Sequence, residues 1–266
     1  MKEEGNQAPP VGHFVKSWGL GLFVLSLLLL LSFTLGLRSI MATPDKKILF
    51  VGDSFTYYNG GMDAAVTAVA GADSRTLLCH SQTKGGAPFS TLWNLPEVLA
   101  AIDAKYNDIV VLQDDLPEYT NAAKMDESFP KYTRLFVERV RASGATPVLF
   151  MAWSYDRLSW VSQTSIALAH KTMAKELNVS VAPVGLAFAR STEQRPDLKI
   201  LGKDGEHESI WGTYLAANVI YSTIFNVDVA AITTPYVPWG ITADEAAHLR
   251  RVASEVVVQW KKDEMS

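Results

Sequence analysis

The chain has 266 residues and a mass of 29.2 kDa, with 48% hydrophobic and 20% charged residues. That composition can bury a core and excludes a disordered, charge-dominated chain. Lys plus Arg number 24 against 28 Asp plus Glu, a net charge of −4, so the basic footprint of a nucleic-acid binder is missing. Cys79 is the single cysteine, which excludes an intramolecular disulfide and a cysteine-rich zinc site.

Residues 1–17 are polar, contain Pro9-Pro10, and read as a disordered tail. Residues 19–37 carry no charge. As a helix they would span roughly 28 Å, the hydrocarbon thickness of a bilayer. Residues 18–38 are therefore expected to form a transmembrane anchor, with a cleaved signal as the alternative. The long apolar core favours the anchor, as does Met41, a bulky residue where the best cleavage candidate, Ile40-Met41-Ala42, needs a small one. Lys2 and Lys16 precede the run and Arg38, Lys46 and Lys47 follow it, so charge gives no clear orientation. N-terminal anchors of this kind commonly deliver an exported domain, and an extracytoplasmic domain is expected here, or a secreted one after cleavage. Asn178-Val179-Ser180 matches a glycosylation acceptor by pattern.

Residues 39–46 read as a linker, and 47–266 as one domain. In it, apolar runs of strand length alternate with helix-like stretches. Ile48–Val51 is the first expected strand, stopped by Gly52. A helix around Met62–Ala70 follows, then a weaker strand, Thr76–Cys79, and a helix over Ser90–Lys105. Asp108–Leu112 is rich in β-branched residues and reads as a buried strand. Ser128–Ala142 is amphipathic and stops at Gly144. Thr146–Ala152 is the fourth strand, Gln163–Leu177 a helix and Val179–Val184 the fifth strand. Ile210–Phe225 and Ala243–Trp260 are the last helices. Strands alternating with helices specify a parallel sheet covered on both faces. The expected fold is a flavodoxin-like three-layer α/β sandwich with five strands, whose site lies beyond the carboxyl ends of the strands.

That rule points to Gly52-Asp53-Ser54, Gly85-Gly86, Gln113-Asp114-Asp115 and Trp153. Ser54 can present its hydroxyl to a ligand, or merely cap the next helix, since both it and Asp53 are capping types. A serine nucleophile needs a base. Of His13, His80, His170, His207 and His248, His207 stands out because Asp204 lies three residues before it. A carboxylate at that spacing in a loop can hold the imidazole Nδ1–H, fixing the tautomer and supporting the imidazolium. His13 precedes the apolar run, His170 and His248 sit on helical stretches, and His80 follows the second strand. Neither a GxSxG elbow nor a GxxxxGK[ST] loop is found. No cluster has convincing metal-ligand spacing, and Asp114-Asp115 suits a capping role better than a cation.

In combination, ILFVGDSFTYYNGG, the glycine loop, DIVVLQDD and DGEHESIWGTYLAA resemble the SGNH (GDSL-like) hydrolase superfamily over about residues 47–260. They look most like a branch with a VLQ-type third block. The resemblance implies Ser54 as nucleophile, Asp204 as acid, His207 as base and Gly86, or less readily Gly85, as the second-block glycine. Three departures stand out. Phe55-Thr56 follows the serine in place of leucine. The GxND block is missing with its oxyanion-hole asparagine, leaving Gln113 as the nearby amide. Glu208 replaces the proline after the histidine, where an added charge would favour imidazolium.

The expected oxyanion hole is therefore Ser54, Gly86 and Gln113, with Trp153 and Tyr57 as pocket walls among the aromatics Tyr57, Tyr58, Trp93, Trp153, Tyr155 and Trp160. Aromatic faces suit sugar rings. The expected function is a serine esterase removing small acyl groups, acetyl foremost, from a carbohydrate or similar polyol through an acyl-enzyme. It needs no cofactor, and its partners are the ester substrate and, through the apolar run, a membrane. The alternatives are a lysophospholipase or thioesterase and a non-catalytic carbohydrate-binding protein on the same fold.

Overall fold

The structure, a computed structural model, describes residues 43–115 and 128–265. The expected tail, the apolar run and the start of the linker fall in 1–42, outside the described residues. Among the described residues, no helix is long and apolar enough to cross a membrane.

Five strands, β1 (Lys46–Gly52), β2 (Leu77–Thr83), β3 (Ile109–Gln113), β4 (Thr146–Phe150) and β5 (Ser180–Ala182), form one sheet in the order β2-β1-β3-β4-β5. Every pair is parallel, so each connection must cross a face of the sheet. Ile48–Val51 and Val110–Leu112 lie in interior strands and are buried on both sides, which is why they are apolar without alternation.

The helices divide between two apolar layers. On one face, Ile48, Phe50 and Val111 pack against α2 (Met62–Ala72), α7 (Val184–Gln194), α8 (Ile210–Phe225) and α9 (Ala243–Met265). On the other, Leu49, Val51 and Val110 pack against α3 (Phe89–Leu92), α4 (Pro96–Asp103), α5 (Phe129–Ala142) and α6 (Gln163–Leu177). A short helix, α1 (Ser54–Tyr57), follows β1 directly. α8 is buried from Gly212 through Thr223, so it carries small and apolar residues on every side rather than one stripe.

Three sequence expectations change. The second strand runs over Leu77–Thr83 rather than Thr76–Cys79, so His80 lies within it instead of following it. The single helix over Ser90–Lys105 is two helices, because Leu95 precedes Pro96 and is held extended (φ −95°, ψ 111°). The proline ring excludes the helical conformation from the residue before it. The fifth strand is shorter than Val179–Val184, ending at Ala182, and α7 begins at Val184. That helix continues the same apolar run, so hydrophobicity alone does not mark where strand gives way to helix.

Candidate active site

The turn that carries Ser54 begins where β1 ends. Asp53 caps α1 by accepting the Phe55 N–H at 2.9 Å, and Phe55 is buried against Trp153 with ring centroids 4.4 Å apart. Burial of that ring anchors the turn with about 2 kcal/mol of transfer free energy. Gln113, at the end of the neighbouring β3, accepts the Asp53 N–H and the Thr56 hydroxyl, both at 2.8 Å. A backbone N–H needs an acceptor, so the amide oxygen faces the turn. Gly52 is required beneath it: a Cβ there would lie 2.2 Å from Thr56 Oγ1 and 2.4 Å from Gln113 Oε1. The Gly-Asp-Ser string and the glutamine are thus one packing unit that raises Ser54 above the sheet.

His207 Nε2 stands 2.9 Å from Ser54 Oγ, and His207 Nδ1 stands 2.9 Å from Asp204 Oδ2. The other Asp204 oxygen accepts the N–H groups of Glu206 and His207, each at 3.1 Å. Burial works against the Asp204 charge, but these N–H groups and the imidazole outweigh it and hold its pKa below the usual aspartate value. The carboxylate therefore fixes the Nδ1–H tautomer and leaves Nε2 to accept the serine proton.

The loop carrying this pair is held by the segment after β4. Trp153 Nε1 donates to the Glu206 carbonyl at 2.8 Å, the Asp156 N–H to the Gly205 carbonyl at 3.0 Å, and Arg157 grips Glu206 through both carboxylate oxygens at 2.9 and 3.0 Å. Tyr58 stacks on the imidazole with centroids 4.4 Å apart at 20°, and Phe55 meets it edge-on at 5.8 Å.

The other described histidines lie elsewhere. His170 is in the core, its Nδ1 2.9 Å from the Ile166 carbonyl, and burial lowers its pKa to about 4. His248 is buried beside Ser191 Oγ, and His80 lies against Tyr106.

Two expected site residues are corrected. Gln113 is fully buried and its oxygen is spent on the turn, while its amide nitrogen is sealed from solvent as well. It holds the Ser54 turn from below, with its amide oxygen committed to that turn. Trp153 is 1% exposed, stacks on Phe188 and supports the histidine loop; the cavity it borders is lined by neither Ser54 nor His207. Tyr57 is exposed, and its hydroxyl lies against Gly85, where a Cβ would be 2.8 Å away. Gly86 is exposed with φ +61°, a left-handed conformation that favours glycine. Among the described residues, neither the Ser54 nor the Gly86 N–H has a hydrogen-bond acceptor.

Glu208 is fully buried, and burial first, then the charges of Asp53 and Asp204, pushes its pKa up to about 8. The shift favours its protonated form and so works against the added charge expected beside His207. Asp53 and Asp114 are raised by the same cause, burial. Asp114 caps α3, accepting the Phe89 N–H. No group of three or more metal-ligating side chains is found among the described residues. The roles of Gln113, Trp153 and Arg157 beneath the triad carry no sequence signal of their own, since each residue type serves equally at a surface.

No protein-family model matches the chain, and no curated protein matches it significantly. Solved structures do. A DUF4886 family protein from Bacteroides uniformis superposes with a TM-score of 0.66 at 17% identity, over 80% of this chain and 95% of that one. A protein from Slackia heliotrinireducens assigned to the SGNH hydrolases gives 0.55 at 24% identity, over 67% and 98%. The psychrotrophic esterase EstA from a Pseudoalteromonas species gives 0.51 at 14% identity, over 68% and 98%. By these superpositions the chain has the fold of the SGNH (GDSL-like) hydrolases.

Proposed function

We propose that this protein hydrolyses esters with Ser54 as nucleophile, and that its substrates carry small acyl groups, acetyl foremost, on a carbohydrate or similar polyol. The observation that carries the reading is the unbroken relay Ser54 Oγ–His207 Nε2 and His207 Nδ1–Asp204 Oδ2, each at 2.9 Å. Ser54 Oγ attacks the ester carbonyl as its proton passes to His207 Nε2. Collapse of the tetrahedral intermediate breaks the carbon–oxygen bond, and the same proton goes to the departing alkoxide. Water, deprotonated by His207, then releases the acid and restores the serine. The Ser54 and Gly86 N–H groups, uncommitted among the described residues, are the donors for the oxyanion. The fold shared with named esterases and lipases supports the reaction class. The acetyl and carbohydrate preference rests on the family resemblance and on the exposed aromatics Tyr57 and Tyr58 near the triad.

The test is turnover of p-nitrophenyl acetate, butyrate and palmitate by the purified protein. Preference for acetate is the expected result; preference for palmitate would assign a lipid substrate, and no turnover by folded protein would remove the enzymatic reading. The uncharged run over 19–37 is proposed to anchor the protein, with its domain outside the cytoplasm. Retention in membranes after carbonate extraction is expected, and a mature start near Ala42 would replace the anchor with a cleaved signal.

A further inference from the structure

On the His207 side of the nucleophile turn, between α2 and α8, lies a cavity of about 200 Å³. Small residues keep it open: Gly60 before α2 and Ala64 and Ala65 on it, with Ala217 of α8 on the other side. Its edges are fixed by hydrogen bonds. The Tyr214 hydroxyl donates to the Tyr236 carbonyl at 2.7 Å, pinning the roof. Asn59 Nδ2 donates to the Glu208 carbonyl at 2.6 Å and to Thr213 Oγ1 at 3.0 Å, tying the cavity to the residue next to His207. Ile210, Tyr214, Tyr236 and Pro238 make the lining mainly apolar, and Trp239, almost wholly in solvent, follows at the rim.

Which half of an ester would lie here follows from the direction of proton transfer. His207 Nε2 must deliver its proton to the leaving oxygen, so the alcohol half sits on the imidazole side. The cavity adjoins that side without touching the imidazole: its lining residue Asn59 follows Tyr58, which stacks on His207, and donates to the Glu208 carbonyl, and Ile210 is three residues past the histidine. Gly86, a proposed oxyanion donor, lies in the loop leading to α3, which packs on the opposite face of the sheet. Size agrees as well, since an apolar cavity of about 150 Å³ is enough for a six-membered ring.

We infer that this cavity is the leaving-group subsite and takes a ring-sized alcohol presenting an apolar face. The inference rests on the ester-hydrolase reading and adds the location and chemistry of the alcohol half. Its test holds one half of the ester constant while the other varies. The pairs are methyl against cyclohexyl acetate, and methyl acetate against methyl butyrate, compared by kcat/KM. Each buried methylene contributes up to about fourfold. The wild type is therefore expected to favour cyclohexyl over methyl acetate by at least roughly tenfold.

Ala64→Phe fills the cavity from its exposed edge and should reduce that ratio about tenfold while the butyrate-to-acetate ratio stays within twofold. Tyr236→Ala, which removes part of the roof, should reduce the same ratio and guards against a folding artefact in the first variant. An unchanged alcohol ratio in both variants, or a shift in the acyl ratio instead, overturns the inference. If the wild type hydrolyses none of these esters, the p-nitrophenyl esters decide the enzymatic reading, and cyclohexanol binding to the Ser54→Ala protein, followed by NMR, decides the cavity separately. Saturable binding lost in Ser54→Ala/Ala64→Phe supports the subsite, and no binding contradicts it.

Discussion

Ser54 and His207 meet at 2.9 Å, yet they are carried by supports of opposite kind. The serine turn is locked to the sheet: Asp53, Phe55 and Thr56 are buried, and Gln113 reaches across from the next strand to hold both ends. The histidine loop lies near the surface and depends on three polar attachments from the segment after β4, one of them the half-exposed Arg157–Glu206 pair. Buried hydrogen bonds are costly to break because the orphaned group stays desolvated, whereas exposed ion pairs contribute little. Ser54 is thus held by the core, and His207 by weaker contacts near the surface. In the proposed reaction the loop would also accommodate a histidine that gains and loses a proton in each half-reaction.

The largest expected effect is at the meeting point. Ser54→Ala should lower ester turnover by at least roughly 10³-fold with little change in thermal midpoint. Wild-type-like turnover by the folded variant would remove the proposed mechanism.

Gln113→Ala breaks the core-held support. It leaves the buried Asp53 N–H and Thr56 hydroxyl unpaired, at about 1–3 kcal/mol for each such group. Misplacement of the serine should lower kcat by roughly 10²-fold. Stability and kcat must fall together. Loss of kcat at unchanged stability would make Gln113 a direct oxyanion donor after all.

Glu208 gives the comparison a pH signature. Its folded pKa of about 8 lies above the usual glutamate value, so its stabilising contribution is fully present below about pH 4 and is lost as pH rises through about 8. Asp114, raised to about 7, acts in the same direction. His170, lowered to about 4, acts in the opposite one, contributing stability above its unfolded pKa that is lost as pH falls through about 4. Urea melts of Glu208→Gln should lose less stability between pH 5 and 8 than those of the wild type. Identical slopes would mean that Glu208 is ionised throughout.

Arg157→Ala should do least. The pair it breaks is 52% and 23% exposed on its two sides, so stability should change by less than about 1 kcal/mol. Trp153 and Asp156 still hold the loop, and kcat should stay within a few fold. A loss as large as that of Gln113→Ala would erase the distinction between the two supports.

The same contrast explains what could be read from the sequence. The strand runs, the serine after the first of them and the Asp204–His207 spacing are local patterns, and the structure brings Ser54, His207 and Asp204 together. Gln113 was expected at the right strand end but with its amide facing the wrong way. Whether that amide points up to a ligand or down to the turn depends on β3 pairing with β1 in the register Val51↔Leu112, a non-local fact. Trp153 likewise follows a strand as expected, and only the packing of Phe55 and Phe188 around it makes it a buried prop. The break at Pro96 was legible from the proline itself, whereas the start of α7 was hidden in a continuous apolar run.

The central claim is that Ser54 is activated by His207, and covalent labelling tests it most directly. The protein is treated with an ethyl phosphonate ester bearing a good leaving group, and the modified peptide is mapped by mass spectrometry. The account predicts one phosphonylated residue, Ser54, with labelling slowed at least roughly 10³-fold in His207→Ala, the scale of losing a triad member. Labelling at another serine, or equally fast labelling of Ser54 without His207, would contradict it.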